Sequence, residues 1–169
     1  LAVEQARKVL NSMAALALKN FKRSLTLFNE YSEKKFAKVE RDENLIDRFE
    51  TAIENYLLKI SSTDINDTTN ELVMEMLHSV SDIERISDHC MNIAEVARKN
   101  AEDGIVFSDF GKKELSIIGT AVTEILTMAT EAYSKRSLEE ALRIEPLEQV
   151  IDKINFAIKD CHVKRLCDG

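Results

Sequence analysis

The stretch DIERISDHCMNIAE, residues 82–95, decides the fold of this chain. Ile83 and Cys90 are two helical turns apart, so they share one apolar face of a helix. Glu84 and Asp88 lie one turn apart beside that face. The stretch therefore predicts a long amphipathic helix that buries one side in a bundle and carries acidic groups along its edge.

The composition of the whole chain favours an all-helical protein. Its 169 residues are 44% apolar and 31% charged, which suits a packed core under a solvated surface. Only four glycines and one proline occur, as expected for long helices with short connections. The net charge of −7 repels phosphate backbones, so we expect no nucleic-acid partner. Three cysteines without CxxC spacing indicate reduced thiols in a cytosolic setting.

Apolar residues recur every three or four positions and predict five helices. They cover about 3–29, 33–60, 69–101, 110–135 and 138–166. Thr68 with Glu71, and Ser137 with Glu140, have the spacing of capping boxes. Gly104 suits a position after a helix that requires positive φ.

Two features of the second half carry further expectations. Pro146 falls inside the last predicted helix, where its missing amide should cause a kink. Leu115–Val122, the longest apolar stretch, has the composition of a buried helix face, and we expect no signal peptide or membrane span.

The sequence repeats itself at an offset of 105 residues. Ser32–Ser61 aligned with Ser137–Leu166 gives eight identities in 30 positions. The repeating unit is predicted to be an antiparallel three-helix bundle, complete in residues 1–104 and limited to its first two helices in 105–169. Because a two-helix hairpin leaves an apolar stripe uncovered, we expect it to pack on the first bundle, on a second copy in a homodimer, or on the third helix that the second repeat lacks here.

Three acidic pairs have a spacing of four residues, which projects both side chains from one helix face. They are Glu43/Asp47, Glu84/Asp88 and Glu148/Asp152, with Asn92 and Glu95 as weaker additions. In an antiparallel bundle the first pair can lie opposite the second. Converging carboxylates predict a site for hard or borderline cations such as Mg²⁺, Mn²⁺ or iron.

The stretch 82–95 resembles the PhoU family, whose third helix in each three-helix repeat reads D-x-E-R-I-G-D-H-x-x-N-I-A-E. The resemblance spans essentially the whole chain, because that family consists of two such bundles in tandem. It implies metal ions, often iron or zinc, at the three acidic pairs. The chain departs from the family at Ser87, where glycine is usual, and that change is expected to alter how closely the helices approach.

The opening LAVEQARKVL is similar to the segment that joins membrane and cytosolic parts in bacterial sodium/phosphate cotransporters. This second resemblance implies a cytoplasmic regulatory domain of an inner-membrane protein, whose partner is a transport domain of the same polypeptide. A start inside a helix without Met is expected for such a piece of a longer product.

Three alternatives stay open at this point. The chain could be a free-standing PhoU-type regulator of a phosphate ABC transporter and its signalling, or a structural helical dimerisation module. A di-metal enzyme of ferritin type would need Glu-x-x-His pairs facing a bundle interior. We expect no such pairs and no catalytic activity.

Overall fold

In the computed structural model, residues 2–167 are described, and they form six helices with no strand among them. The helices are α1 (Ala2–Thr26), α2 (Glu33–Ser61), α3 (Asp67–Glu102), α4 (Asp109–Lys135), α5 (Leu138–Ala141) and α6 (Ile144–Cys167). They divide into two compact units, the first ending at Gly104 and the second beginning at Ile105. The predicted all-α fold is confirmed.

The first unit is a three-helix bundle in which α1, α2 and α3 all contact one another. The buried residues of α3 alternate in steps of three and four along its length, which is the spacing that keeps one face of a helix on its neighbours. They are Val73, Met76, Val80, Ile83, Ser87, Cys90, Ala94 and Ala97. Leu10 and Met13 of α1 and Ile46 of α2 are also fully buried in this unit. The bundle therefore fixes which edge of α3 faces α2.

Helix ends differ in detail from the predictions. Asn66, rather than Thr68, caps α3, because its side chain accepts a hydrogen bond from the backbone N–H of Thr69 at 2.8 Å. The predicted capping box at Thr68 is wrong, since that residue is already inside the helix. The cap at Ser137 is confirmed by its hydrogen bond from the N–H of Glu140 at 3.2 Å. Gly104 has the predicted positive φ, 66°.

The second unit contains the hairpin of α4 and α6, with the short α5 between them. The prediction of one kinked helix over 138–166 is wrong, because the chain leaves the helix at Leu142 and starts again at Ile144. Pro146 explains the break. It has no N–H for the carbonyl of Leu142, but it is tolerated in the first turn of α6.

The apolar face of α4 is not buried as expected. Of the stretch Leu115–Val122, only Gly119 is buried, because the described part of this unit covers α4 on one side alone. By length and composition, α4 would also suffice to cross a membrane, with 11% of its apolar window buried. A single helix of this kind is weak evidence for a membrane span, since core helices of soluble proteins have the same length and composition.

Candidate metal centre

Three carboxylates meet where α2 packs against α3. Glu43 and Asp47 lie one turn apart on α2, and Asp88 lies on α3. One oxygen from each falls within 4.8 Å of the other two. Oxygens that converge to within this distance lie close enough for one cation to contact more than one of them. The predicted convergence of Glu43, Asp47 and Asp88 is thus present in the described chain.

Burial and negative neighbours raise the pKa values of the two carboxylates on α2. Burial, followed by repulsion from Asp47 and Asp88, raises the pKa of Glu43 above its ordinary value. Burial and repulsion from Asp88 likewise raise the pKa of Asp47. Both shifts arise because a carboxylate loses hydration and acquires negative neighbours. The site therefore holds negative charge at a cost in free energy that a bound cation would offset.

Glu84 has the largest shift of the cluster. Burial first, then repulsion from Asp88 and a hydrogen bond shared with it, raise the pKa of Glu84 from 4.5 to about 7. Asp47 and Glu50 on α2 add to the repulsion. Glu84 therefore belongs to the same electrostatic cluster, although it is not among the three residues whose oxygens lie closest together.

Asp42, on the same helix, differs from these carboxylates because basic side chains neutralise its charge. It is 3% exposed and is paired with Arg23 and Arg41. Burial would raise the pKa of Asp42, but hydrogen bonds from Arg41 and Arg23 outweigh burial and lower it. In residues 2–167, by contrast, no ion pair within 4 Å involves Glu43 or Asp47.

One oxygen of the cluster is left without a partner. Asp47 Oδ1 is buried and accepts no hydrogen bond within the described residues. A buried carboxylate oxygen without a hydrogen-bond donor or a cation destabilises the fold, because no interaction offsets the loss of its hydration. The donor set, all carboxylate oxygens, is the set that hard divalent cations prefer. The residues present therefore fit a cation bound at Glu43, Asp47 and Asp88.

The remaining predicted ligands have different surroundings. Glu95 is exposed on α3 but lies close enough to contribute to the raised pKa of Glu43. Asn92 is exposed beside it. Glu148 and Asp152 are exposed on α6, in the other unit. Their role as metal ligands stays a prediction.

Sequence reasoning missed Glu50 and misjudged one motif. Glu50 is half-buried, and burial with repulsion from Glu54, Asp47 and Asp88 raises its pKa. Its spacing of seven residues from Glu43 was the available signal, because two helical turns return to the same face.

The expectation that the chain has no Glu-x-x-His motif is wrong, because Glu75 and His78 form one. Both residues are exposed on α3 rather than facing the bundle interior.

Ser87, which departs from the family pattern, lies inside the core. It is fully buried, and its Oγ has no hydrogen-bond partner within the described residues. Its neighbour Asp88 nevertheless reaches the carboxylates of α2. The serine therefore does not keep α3 from bringing its carboxylate to the cluster.

The sequence matches the PhoU domain family over residues 10–97, just over half of the chain. The chain belongs to the PhoU family. The match ends within α3 and includes the clustered carboxylates of both α2 and α3, so the cluster is part of the PhoU domain itself. PhoU membership suggests a regulatory, non-enzymatic role in phosphate homeostasis. No curated protein and no solved structure matches the chain.

Proposed function

We propose that this chain is a cation-binding regulatory domain of phosphate transport. Glu43, Asp47 and Asp88 would hold the ion, with Glu84 and Glu50 supplying further negative charge around it. The observation that carries the proposal is the buried oxygen of Asp47 without a partner, in a cluster that receives no ion pair from a basic side chain among the described residues.

A bound cation would act on the packing of the bundle. The repelling carboxylates lie on two different helices, so neutralising them removes a force that separates α2 from α3. Cation binding would therefore stiffen this edge of the PhoU unit. A partner that contacts the edge would then distinguish the loaded from the empty domain, provided that it binds the two with different affinity.

For the larger context, we propose the cytoplasmic portion of a bacterial sodium-dependent phosphate cotransporter in the inner membrane. The supporting observation is the opening segment LAVEQARKVL, and the partner would be a transport domain of the same polypeptide. The match to the PhoU family supports phosphate control equally in a free-standing regulator of a phosphate ABC transporter. Membrane helices encoded directly upstream of Leu1 would distinguish these contexts, and their absence would refute the cotransporter.

Cation binding is tested on the purified chain after treatment with a chelator. Calorimetric titration with Mn²⁺, followed by thermal unfolding with and without the ion, gives affinity and stabilisation. An ion at 100 times its dissociation constant stabilises a folded protein by about 2.7 kcal/mol. We expect a stabilisation of this order for the natural sequence and its loss in the double variant Asp47→Asn, Asp88→Asn.

The control variant is Glu71→Gln, Glu75→Gln. These two residues have the same spacing of four, are exposed on α3 and lie outside the cluster. The control should bind Mn²⁺ as the natural sequence does. Equal Mn²⁺ affinity in the natural chain and in the Asp47/Asp88 variant would show that the cluster is not the site, and the helical dimerisation module would become the better description.

A further inference from the structure

A groove lies on the outside of the first unit, where α1 packs against α2. Residues 5–12 of α1 and 49–56 of α2 line this α1–α2 groove. The register of the two helices explains the pairing, because the side chain of Asn20 donates a hydrogen bond to the backbone carbonyl of Val39 at 3.0 Å. Each helix of the unit already contacts the other two. The groove is therefore on the surface of a closed bundle and not at the place of a missing helix of that bundle.

Small residues shape the groove between two aromatic ones. Ala52 lies between Phe49 and Tyr56, which are seven residues apart and so project from one side of α2. Opposite them, Ala6 and Val9 of α1 complete a mainly apolar lining. The groove has a volume of about 570 Å³, and Val9 and Tyr56 stay 37% and 41% exposed. A small ligand would remain largely in water here, whereas a helix lying along the groove would cover both side chains.

The length of the groove suits a helix. Seven residues of α1 and seven of α2 separate its two ends, which is about 10 Å along a helix axis. An amphipathic helix that binds a groove inserts side chains at positions i, i+3 or i+4, and i+7, and these span the same two turns.

The rim of the groove is basic, although the chain has a net charge of −7. Lys8 on α1 lines the groove. Arg48 and Lys59 lie four residues before Ala52 and seven after it, on the same side of α2. Within residues 2–167, none of these three basic side chains forms an ion pair shorter than 4 Å.

The acidic groups nearby do not compensate this rim. Burial, followed by repulsion from Glu54 and from the clustered carboxylates, raises the pKa of Glu50, so both glutamates belong to the edge of α2 that faces α3. On α1, Glu4 is already paired with Arg7 at 2.6 Å. The two edges of α2 thus have opposite charge.

We infer that the α1–α2 groove binds an amphipathic helix of a partner protein, whose apolar side chains are flanked by Asp or Glu. The apolar side chains fill the space beside Ala52, and the flanking carboxylates reach Lys8 on one side and Arg48 and Lys59 on the other. This inference does not depend on the cation site, because the clustered carboxylates lie at the other edge of α2.

The test measures peptide binding by fluorescence anisotropy on the full chain in a chelator. Two dye-labelled peptides of about 15 residues have leucines at helical spacing, flanked by glutamates in one peptide and by lysines in the other. The glutamate peptide should bind about tenfold more tightly, because several ion pairs at the rim act together. The net charge of the whole chain would favour the lysine peptide instead, so this preference reports the rim itself.

A charge reversal tests the rim. Lys8→Glu with Lys59→Glu should weaken binding of the glutamate peptide about tenfold and strengthen binding of the lysine peptide. The matched control, Lys34→Glu with Lys99→Glu, makes the same change in net charge at exposed positions at the other end of the bundle. The control should keep the order of the two affinities found for the natural chain.

A bulky side chain tests the shape of the groove. Ala52→Arg fills it while adding a positive charge, so binding of the glutamate peptide should be lost although the rim becomes more basic. Ala37→Arg, at an exposed alanine of the same helix, is the control and should bind as the natural chain does. Far-UV circular dichroism shows that each variant keeps its helices.

Three results would overturn the inference. The first is a glutamate peptide that binds the natural chain no better than the lysine peptide, and the second is unchanged binding in a folded Ala52→Arg variant. The third is binding of decanoate, added below its micelle concentration, to a chain that binds neither peptide, which would assign the groove to a small anionic amphiphile.

Discussion

Replacing Glu84 by glutamine should stabilise the cation-free protein at high pH and leave it unchanged at low pH. The pKa of Glu84 is raised in the folded state, from 4.5 to about 7. The folded chain therefore binds this proton more tightly than the unfolded chain does. The resulting stability is fully present below pH 4.5 and is lost as the pH rises through about 7. Glutamine removes the titration and keeps a hydrogen-bond donor for Asp88.

The magnitude follows from the size of the shift. One pKa unit is worth 1.36 kcal/mol, so a rise from 4.5 to about 7 gives an upper limit of about 3.4 kcal/mol. The side chain is only half-buried and shares the proton with Asp88, so solvent screening and coupling reduce the expected gain to about 1–2 kcal/mol at pH 8. For a chain of this size, that is roughly 2–8 °C in Tm.

The assay is thermal and urea unfolding of the full chain in a chelator at several pH values between 4.5 and 8.5, followed by circular dichroism. Glu75→Gln, an exposed acid on the same helix, is the control and should follow the natural pH profile. If Glu84→Gln has the same dependence of unfolding free energy on pH as the natural chain, the carboxylates of α2 and α3 do not repel as the structure indicates.

Two further predictions concern buried polar groups. Asp42→Asn should cost about 3 kcal/mol or more in unfolding free energy at pH 7, because Arg23 is left as a poorly compensated charge in a largely buried position. The natural chain should lose this stability as the pH falls through the lowered pKa of Asp42, so the cost seen in urea unfolding should shrink in acid. Cys161 and Cys167 are exposed and should react quickly with a thiol reagent. Cys90, whose pKa burial raises to about 12, should react only after unfolding, and three equally fast thiols would contradict the packing of α3.

The candidate site was only partly visible in the sequence. The spacing of four in Glu43/Asp47 and Glu84/Asp88 placed each pair on a helix face, because helical geometry is a local property of the chain. The spacing could not show that, among the described residues, Asp42 forms an ion pair while its neighbour Glu43 does not. Asp42 is neutralised by Arg23, 19 residues earlier, and a pairing across two helices depends on their packing.

The sequence by itself determined the helical class, the Gly104 boundary of the first bundle and the acidic edge of α3, because periodicity and glycine conformation act over a few residues. Only the tertiary structure decided which carboxylates meet. Burial and repulsion depend on how the helices pack. The packing of α2 on α3 raises the pKa of Glu50, whereas Glu148 on α6 is exposed. Pro146 shows the same division. Its missing N–H is a property of the residue, but the folded chain responds with a break before α6 rather than a bend within it.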